Sequence, residues 1–118
     1  MAMMTPSEFG DALPVDGYGP GFFRVGGQIY RQALVVTGAG LTPWGGLDDR
    51  APLMALAGQI DVLFLGMGAD VAFPPRDLVD ALEAQGVMVE PMSTPSAARS
   101  YNVTLSEGRR VGCALLLL

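Results

Sequence analysis

The spacing of hydrophobic positions changes partway along the chain, and the two parts predict different kinds of element. Up to Pro14 no period is sustained. Pro6, Gly10 and Pro14 mark an irregular lead segment, with disorder expected over residues 1–8. A short strand is predicted at Val15 to Tyr18. From Gly17 to Gly27, five glycines surround Phe22, Phe23 and Val25, the pattern of a strand broken by turns, with Gly26-Gly27 as a hairpin turn. Gln28 to Tyr30 alternates in character, and Ala33 to Val36 is an apolar run ending at the Gly38-Ala39-Gly40 turn. Two or three antiparallel strands therefore open the fold. Leu41 to Gly46, with Pro43 and two glycines, reads as a loop.

After Asp48 and Asp49 the period lengthens. Pro52 followed by Leu53, Leu56 and Ala57, stopping at Gly58, predicts a short helix. Val62 to Leu65 is a continuous apolar run bounded by Asp61 and Gly66, as expected of a strand covered on both faces, and it is read as the central strand. Pro74-Pro75 opens a second helix with Leu78, Val79 and Leu82 on one face and Gly86 as its stop. Val87 to Val89 is a further buried strand. A strand, helix, strand sequence implies a right-handed crossover and parallel pairing. A third helix is predicted from Thr94, as cap, with Pro95 in its first turn, to about Glu107, before a final strand at Val111 to Leu118. The expected fold is α/β. It is one three-layer domain over residues 1–118, with a mixed central sheet, N-terminal antiparallel hairpin strands and helices packed on it.

Composition narrows the function. At 118 residues and 50% hydrophobic content, the chain can fill one core without metal or disulfides. Seven Lys plus Arg against twelve Asp plus Glu give a net charge of -5, which repels phosphate backbones and anionic headgroups, so nucleic acid is not an expected partner. The single cysteine, Cys113, permits no internal disulfide. The absence of histidine removes the commonest metal ligand and the usual general base, so no metal, cofactor or catalytic residue is expected. Leu115 to Leu118 is too short to cross a bilayer core of about 30 Å, and no basic, then apolar leader opens the chain. Stable membrane insertion is not expected, and the protein reads as cytoplasmic.

Two turns hold the candidate chemistry. Gly66-Met67-Gly68 follows the first parallel strand and is suited to presenting backbone N–H groups to a small anion. It is not a dinucleotide fingerprint, because position 71 is Val and Phe73, Pro74 and Pro75 delay the helix. Met92-Ser93-Thr94-Pro95 follows the second parallel strand and brings hydroxyls to the same carboxyl edge, where Arg99 from the next helix turn could join them. The candidate ligand residues are therefore Gly66, Gly68, Ser93, Thr94 and Arg99, with Asn102, whose mid-helix amide needs a partner. The structural alternative is that the glycines make a tight turn, Thr94 caps a helix, Arg99 pairs with a carboxylate such as Asp70, and Tyr101 is core packing.

Asp16-Gly17-Tyr18-Gly19 with Gly21-Phe22-Phe23, then Asp61-Val62-Leu63-Phe64-Leu65-Gly66-Met67-Gly68, then Met92-Ser93-Thr94 through Arg99-Ser100-Tyr101-Asn102 to Glu107-Gly108-Arg109-Arg110-Val111, form a recognisable set. It resembles a small α/β domain family of unknown function that includes the mitochondrial NADH:ubiquinone oxidoreductase complex assembly factor three. The resemblance implies a three-layer fold and, in the mitochondrial branch, action with other assembly proteins on a membrane respiratory complex. It carries over no catalytic residue. The cysteine common before the arginine in such relatives is Ala98 here, which rules out transferring thiol chemistry to that place.

The function expected is a non-enzymatic, protein-binding or assembly-factor-like module linked to respiratory or membrane complex biogenesis. Phe22, Trp44, Met67 and Phe73 are its candidate partner contacts, and a monomer or weak homodimer its expected state. The alternative is a small-molecule or anion binder, or an enzyme of unknown reaction, using a notch at the carboxyl edge of the sheet.

Overall fold

A computed structural model describes residues 13–70 and 72–118; the expected lead segment lies almost wholly outside them. Its strands form two sheets. β1 (Val15–Gly19), β2 (Phe22–Val25) and β3 (Gln28–Tyr30) make an antiparallel three-stranded sheet in chain order. Gly26 and Gly27 turn β2 into β3, both with positive φ (59° and 82°), as a tight hairpin requires.

The larger sheet contains β4 (Leu34–Thr37), β5 (Gly40–Pro43), β6 (Val62–Gly66), β7 (Met88–Met92) and β8 (Val111–Leu115), in the order β5-β4-β8-β6-β7. β4 pairs antiparallel with β5 and β8, while β6 runs parallel to both β7 and β8. The sheet is thus mixed, as expected, but two expectations change. Residues 41–43, read as the start of a loop, form with Gly40 the edge strand β5, because the turn at Gly38-Ala39 folds them back onto β4. The middle strand is β8, not β6, which lies between β8 and β7 although its apolar run is covered on both faces.

Strand alternation sends side chains to two cores. On one face Leu34, Val36, Phe64, Cys113 and Leu115 meet α3 (Thr94–Ser106) through Ala97, Ala98, Tyr101 and Leu105, together with Val15, Phe23 and Val25 of the small sheet. On the other, Val35, Leu63, Leu65, Val89 and Ala114 meet Leu53 and Leu56 from the α1 region and Leu78 and Leu82 of α2 (Arg76–Ala84). Three layers result. α1 (Ala51–Met54) is shorter than its apolar spacing predicts, because the chain after it closes through tight turns such as Leu56 N–H to Leu53 O (3.1 Å) and Gln59 N–H to Leu56 O (2.9 Å). Each fully buried Leu contributes about 1.5–3 kcal/mol of transfer free energy, so the paired Leu78 and Leu82 are sufficient to hold the short α2 on the sheet.

β7 is an edge strand. Met88 N–H bonds to Asp61 O and Met92 O accepts from Met67 N–H, so residues 88, 90 and 92 turn their backbone groups toward β6. Residues 89 and 91 face outward, which places the donorless nitrogen of Pro91 on the open edge and blunts it against further pairing.

Candidate functional site

The two turns expected to share a rim meet in direct contact. Their contact forms a closed clasp. Met67 N–H donates to Met92 O (2.8 Å), Thr94 N–H to Gly68 O (2.7 Å), and Gly68 N–H to Thr94 Oγ1 (2.9 Å). The Thr94 hydroxyl in turn donates to Leu116 O (2.8 Å), while Leu116 N–H reaches Gly66 O (3.0 Å). Thr94 is fully buried, and its one side-chain oxygen ties three separate segments. A Cβ at Gly66 would lie 2.9 Å from Thr94 Cα and 3.0 Å from a Leu115 methyl, so glycine is needed there for the close approach.

This geometry corrects the expected anion notch. The N–H groups of Met67 and Gly68 are spent on the protein's own acceptors. Thr94 is not the helix cap: Ser93 holds that position, in extended conformation, and accepts from Ser96 N–H (3.4 Å), leaving Thr94 in the first turn with Pro95. Arg99 lies exposed on α3, two residues past the buried Ala97, and makes no ion pair with Asp70 or any other carboxylate among the described residues. Asn102 has found its partner in β1. Its Nδ2 donates to Val15 O and its Oδ1 accepts from Val15 N–H, both at 2.8 Å. Next to it the buried Tyr101 hydroxyl donates to Leu13 O (2.7 Å). Together these side chains fasten the small sheet to α3, and burial pushes the Tyr101 phenol above its usual range.

The four candidate partner contacts separate. Trp44 is 4% exposed in the core beneath the sheet and its indole N–H donates to Asp49 O (2.9 Å), so it anchors its own loop and is withdrawn from the partner set. Phe22 is half-buried, its ring so close over Gly19 that a Cβ there would meet it at 2.5 Å. Met67 packs partly into the core beside α2. Phe73 stands apart, with 91% of its surface exposed. It leads into Pro74 at the mouth of a cleft of about 420 Å³, whose walls include Val79 and Pro91 and whose rim carries Arg76, Asp80 and Glu83. The Pro-rich text before α2 predicted only a helix start. The cleft needs Pro91, which topology alone brings alongside.

Charged groups elsewhere are paired at the surface. Arg50 makes two contacts to Asp77 (2.8 and 3.2 Å), and the first effect of that hydrogen bonding is to hold the Asp77 carboxyl below its usual range. Arg110 does the same for Asp61 (2.9 and 3.3 Å). Cys113 is fully buried in the middle strand and desolvation raises its thiol well above the ordinary range, which keeps it protonated and unreactive. Among the described residues no three His, Cys, Asp or Glu side chains gather as a metal site, and no helix is long and apolar enough to cross a membrane.

Comparisons with known proteins agree with this fold. A family model described as "Protein of unknown function (DUF498/DUF598)" matches residues 15–116. An uncharacterized protein of Rhodobacter capsulatus is 61% identical over 115 residues, covering 96% of this chain and 93% of the relative. NADH dehydrogenase (ubiquinone) 1 alpha subcomplex assembly factor 3 of Danio rerio is 26% identical over 106 residues, which cover 84% of this chain and 61% of the assembly factor. Among solved structures, an outer membrane protein from Bartonella henselae superposes with a TM-score of 0.81 at 29% identity, over 92% of this chain and 98% of that one. An Mth938-like domain protein of Bordetella pertussis gives 0.78 at 26% identity, over 99% and 90%.

Proposed function

Because the chain belongs to the DUF498/DUF598 family and is 26% identical to an NADH dehydrogenase assembly factor, we propose that it is a non-enzymatic protein-binding module that assists assembly of a membrane respiratory complex. The observation that carries this reading is Phe73. A phenylalanine left 91% exposed forgoes about 1.5–3 kcal/mol of burial, and here it stands beside an apolar cleft able to share a partner's side chain. The ring and the cleft walls Pro74, Val79 and Pro91 are rigid surfaces that lose little conformational entropy on docking, and with Asp80 paired to Arg76 (3.8 Å) the remaining rim carboxylate, Glu83, favours a partner segment with a basic flank. The reading places the protein in the cytoplasm.

Affinity capture from the native host tests this with wild type and Phe73→Ala at equal expression. Subunits of a respiratory complex are expected with the wild type and lost with Phe73→Ala, whose thermal midpoint stays unchanged because the ring packs on little of its own fold. Recovery of the same subunits with both proteins, or of none with either, removes the proposal.

A further inference from the structure

The opposite end of the sheet carries a groove that the Phe73 reading does not use. β8 runs parallel to β6, so Val111 marks the amino end of these strands and the clasp at Gly66 the carboxyl end. At the amino end a recess of about 440 Å³ is lined by Thr37, Gln59, Ile60, Leu105, Arg109 and Val111. A second recess, of about 400 Å³, lies between α1 and the β4–β5 ribbon against Val35, Leu41, Pro52, Ala55 and Leu56. Thr37, Ala39 and Gln59 border both, so the two recesses adjoin as one grooved surface, aliphatic along the α1 side and polar where they meet.

The charge at its far end is specific. Arg110 is occupied by Asp61 and by Gly58 O (3.2 Å). Arg109 makes no ion pair among the described residues, yet it is near enough to help Arg110 hold the Asp61 carboxyl down. Among the described residues, these two guanidinium groups and one carboxylate together carry a net positive charge, on a chain whose net charge is -5. An aliphatic slot ending in one uncompensated guanidinium matches a ligand with a hydrocarbon tail and one negative charge. A dianionic head would face Asp61 and the acidic surface with its second charge unpaired.

We propose that this groove binds a medium-chain alkyl carboxylate, its tail between α1 and the β4–β5 ribbon against Pro52, Ala55 and Leu56, and its carboxylate on Arg109. Each methylene buried raises affinity roughly fourfold, and the charge-assisted contact to Arg109 contributes about tenfold or more.

The test is a titration of the full chain with decanoate, octanoate, decanol and decyl phosphate below their aggregation limits, followed by amide chemical shifts. Saturable decanoate shifts are expected at Thr37, Ala39 and Gln59. Octanoate should bind more weakly by roughly tenfold or more for its two missing methylenes. Arg109→Gln should weaken decanoate by about tenfold while leaving decanol and the thermal midpoint unchanged. Ala55→Phe, which fills the slot, should remove both ligands. Equal decanoate affinity in wild type and Arg109→Gln overturns the proposal. So do shifts centred on Phe73, failure to saturate, or tighter binding of decyl phosphate than of decanoate. Should Ala55→Phe fail to fold, Arg109→Gln with the ligand series still decides.

Discussion

Replacing Thr94 by valine isolates the hydroxyl that holds the clasp together, because valine nearly matches threonine in shape and keeps the buried methyl group. The lost oxygen had accepted from Gly68 N–H at 2.9 Å and donated to Leu116 O at 2.8 Å in a site with no solvent exposure. Both backbone groups would be left unpaired, at about 1–3 kcal/mol each, so the expected destabilisation is about 2–6 kcal/mol. That is a large share of the roughly 5–15 kcal/mol typical of a domain. Thr94→Ser retains both bonds and loses one methyl, for about 1 kcal/mol. Urea unfolding followed by the fluorescence of Trp44, the single tryptophan and a buried one, measures both variants against wild type. Valine within about 0.5 kcal/mol of wild type, or serine as damaging as valine, would refute the claim that one hydroxyl joins three segments.

Asn102→Ala should cost about 1–3 kcal/mol by leaving both backbone groups of Val15 without partners. Hydrogen exchange should quicken at Val15 while the amides of β8 stay protected. Alkaline pH should destabilise the fold in two steps, because the unfolded chain releases protons that native Cys113 and Tyr101 retain. Stability is level with respect to these groups below the unfolded thiol's value of about 8.5. Above it, stability falls by about 1.4 kcal/mol per pH unit, and by about 2.7 once the phenol's ordinary value of about 10 is passed. Denaturation midpoints from pH 7 to 11 for wild type and Cys113→Ala check this, since the variant should lack the first step.

Periodicity carried the local elements well where the chain itself encloses the information. Leu78, Val79 and Leu82 mark α2, the Val62 run marks β6, and Gly26-Gly27 marks a hairpin, since each depends on neighbours within a turn or two. What could not be read depends on residues far apart in sequence. β5 has Gly40 and Pro43 in only four residues and becomes a strand because β4 is beside it. Thr94 reads as a helix start, but its partners are 22 and 26 residues away. Asn102 could be recognised as an amide needing a partner, whereas the partner, Val15, lies 87 positions distant. Trp44, expected as a partner contact, is buried instead, because burial of a loop aromatic depends on what packs beneath it, here the core under the sheet. The exposure of Phe73 follows from the extended proline-rich segment, but the cleft beside it requires Pro91 from a different strand.

The position of β8 has a consequence for how the molecule is made. It is the last strand in chain order and the one that lies between β4 and β6, so synthesis yields two incomplete ribbons, β4–β5 and β6–β7, that share no ladder until it emerges. During that interval Val36, Phe64 and the apolar face of α3 lack their main cover, and the open edges of β4 and β6 offer unpaired backbone to any neighbouring nascent chain. Closure then requires contacts between residues about eighty positions apart, the kind of long-range pairing that slows folding. A chain in which β8 has not yet docked is therefore the form most in need of a holding chaperone.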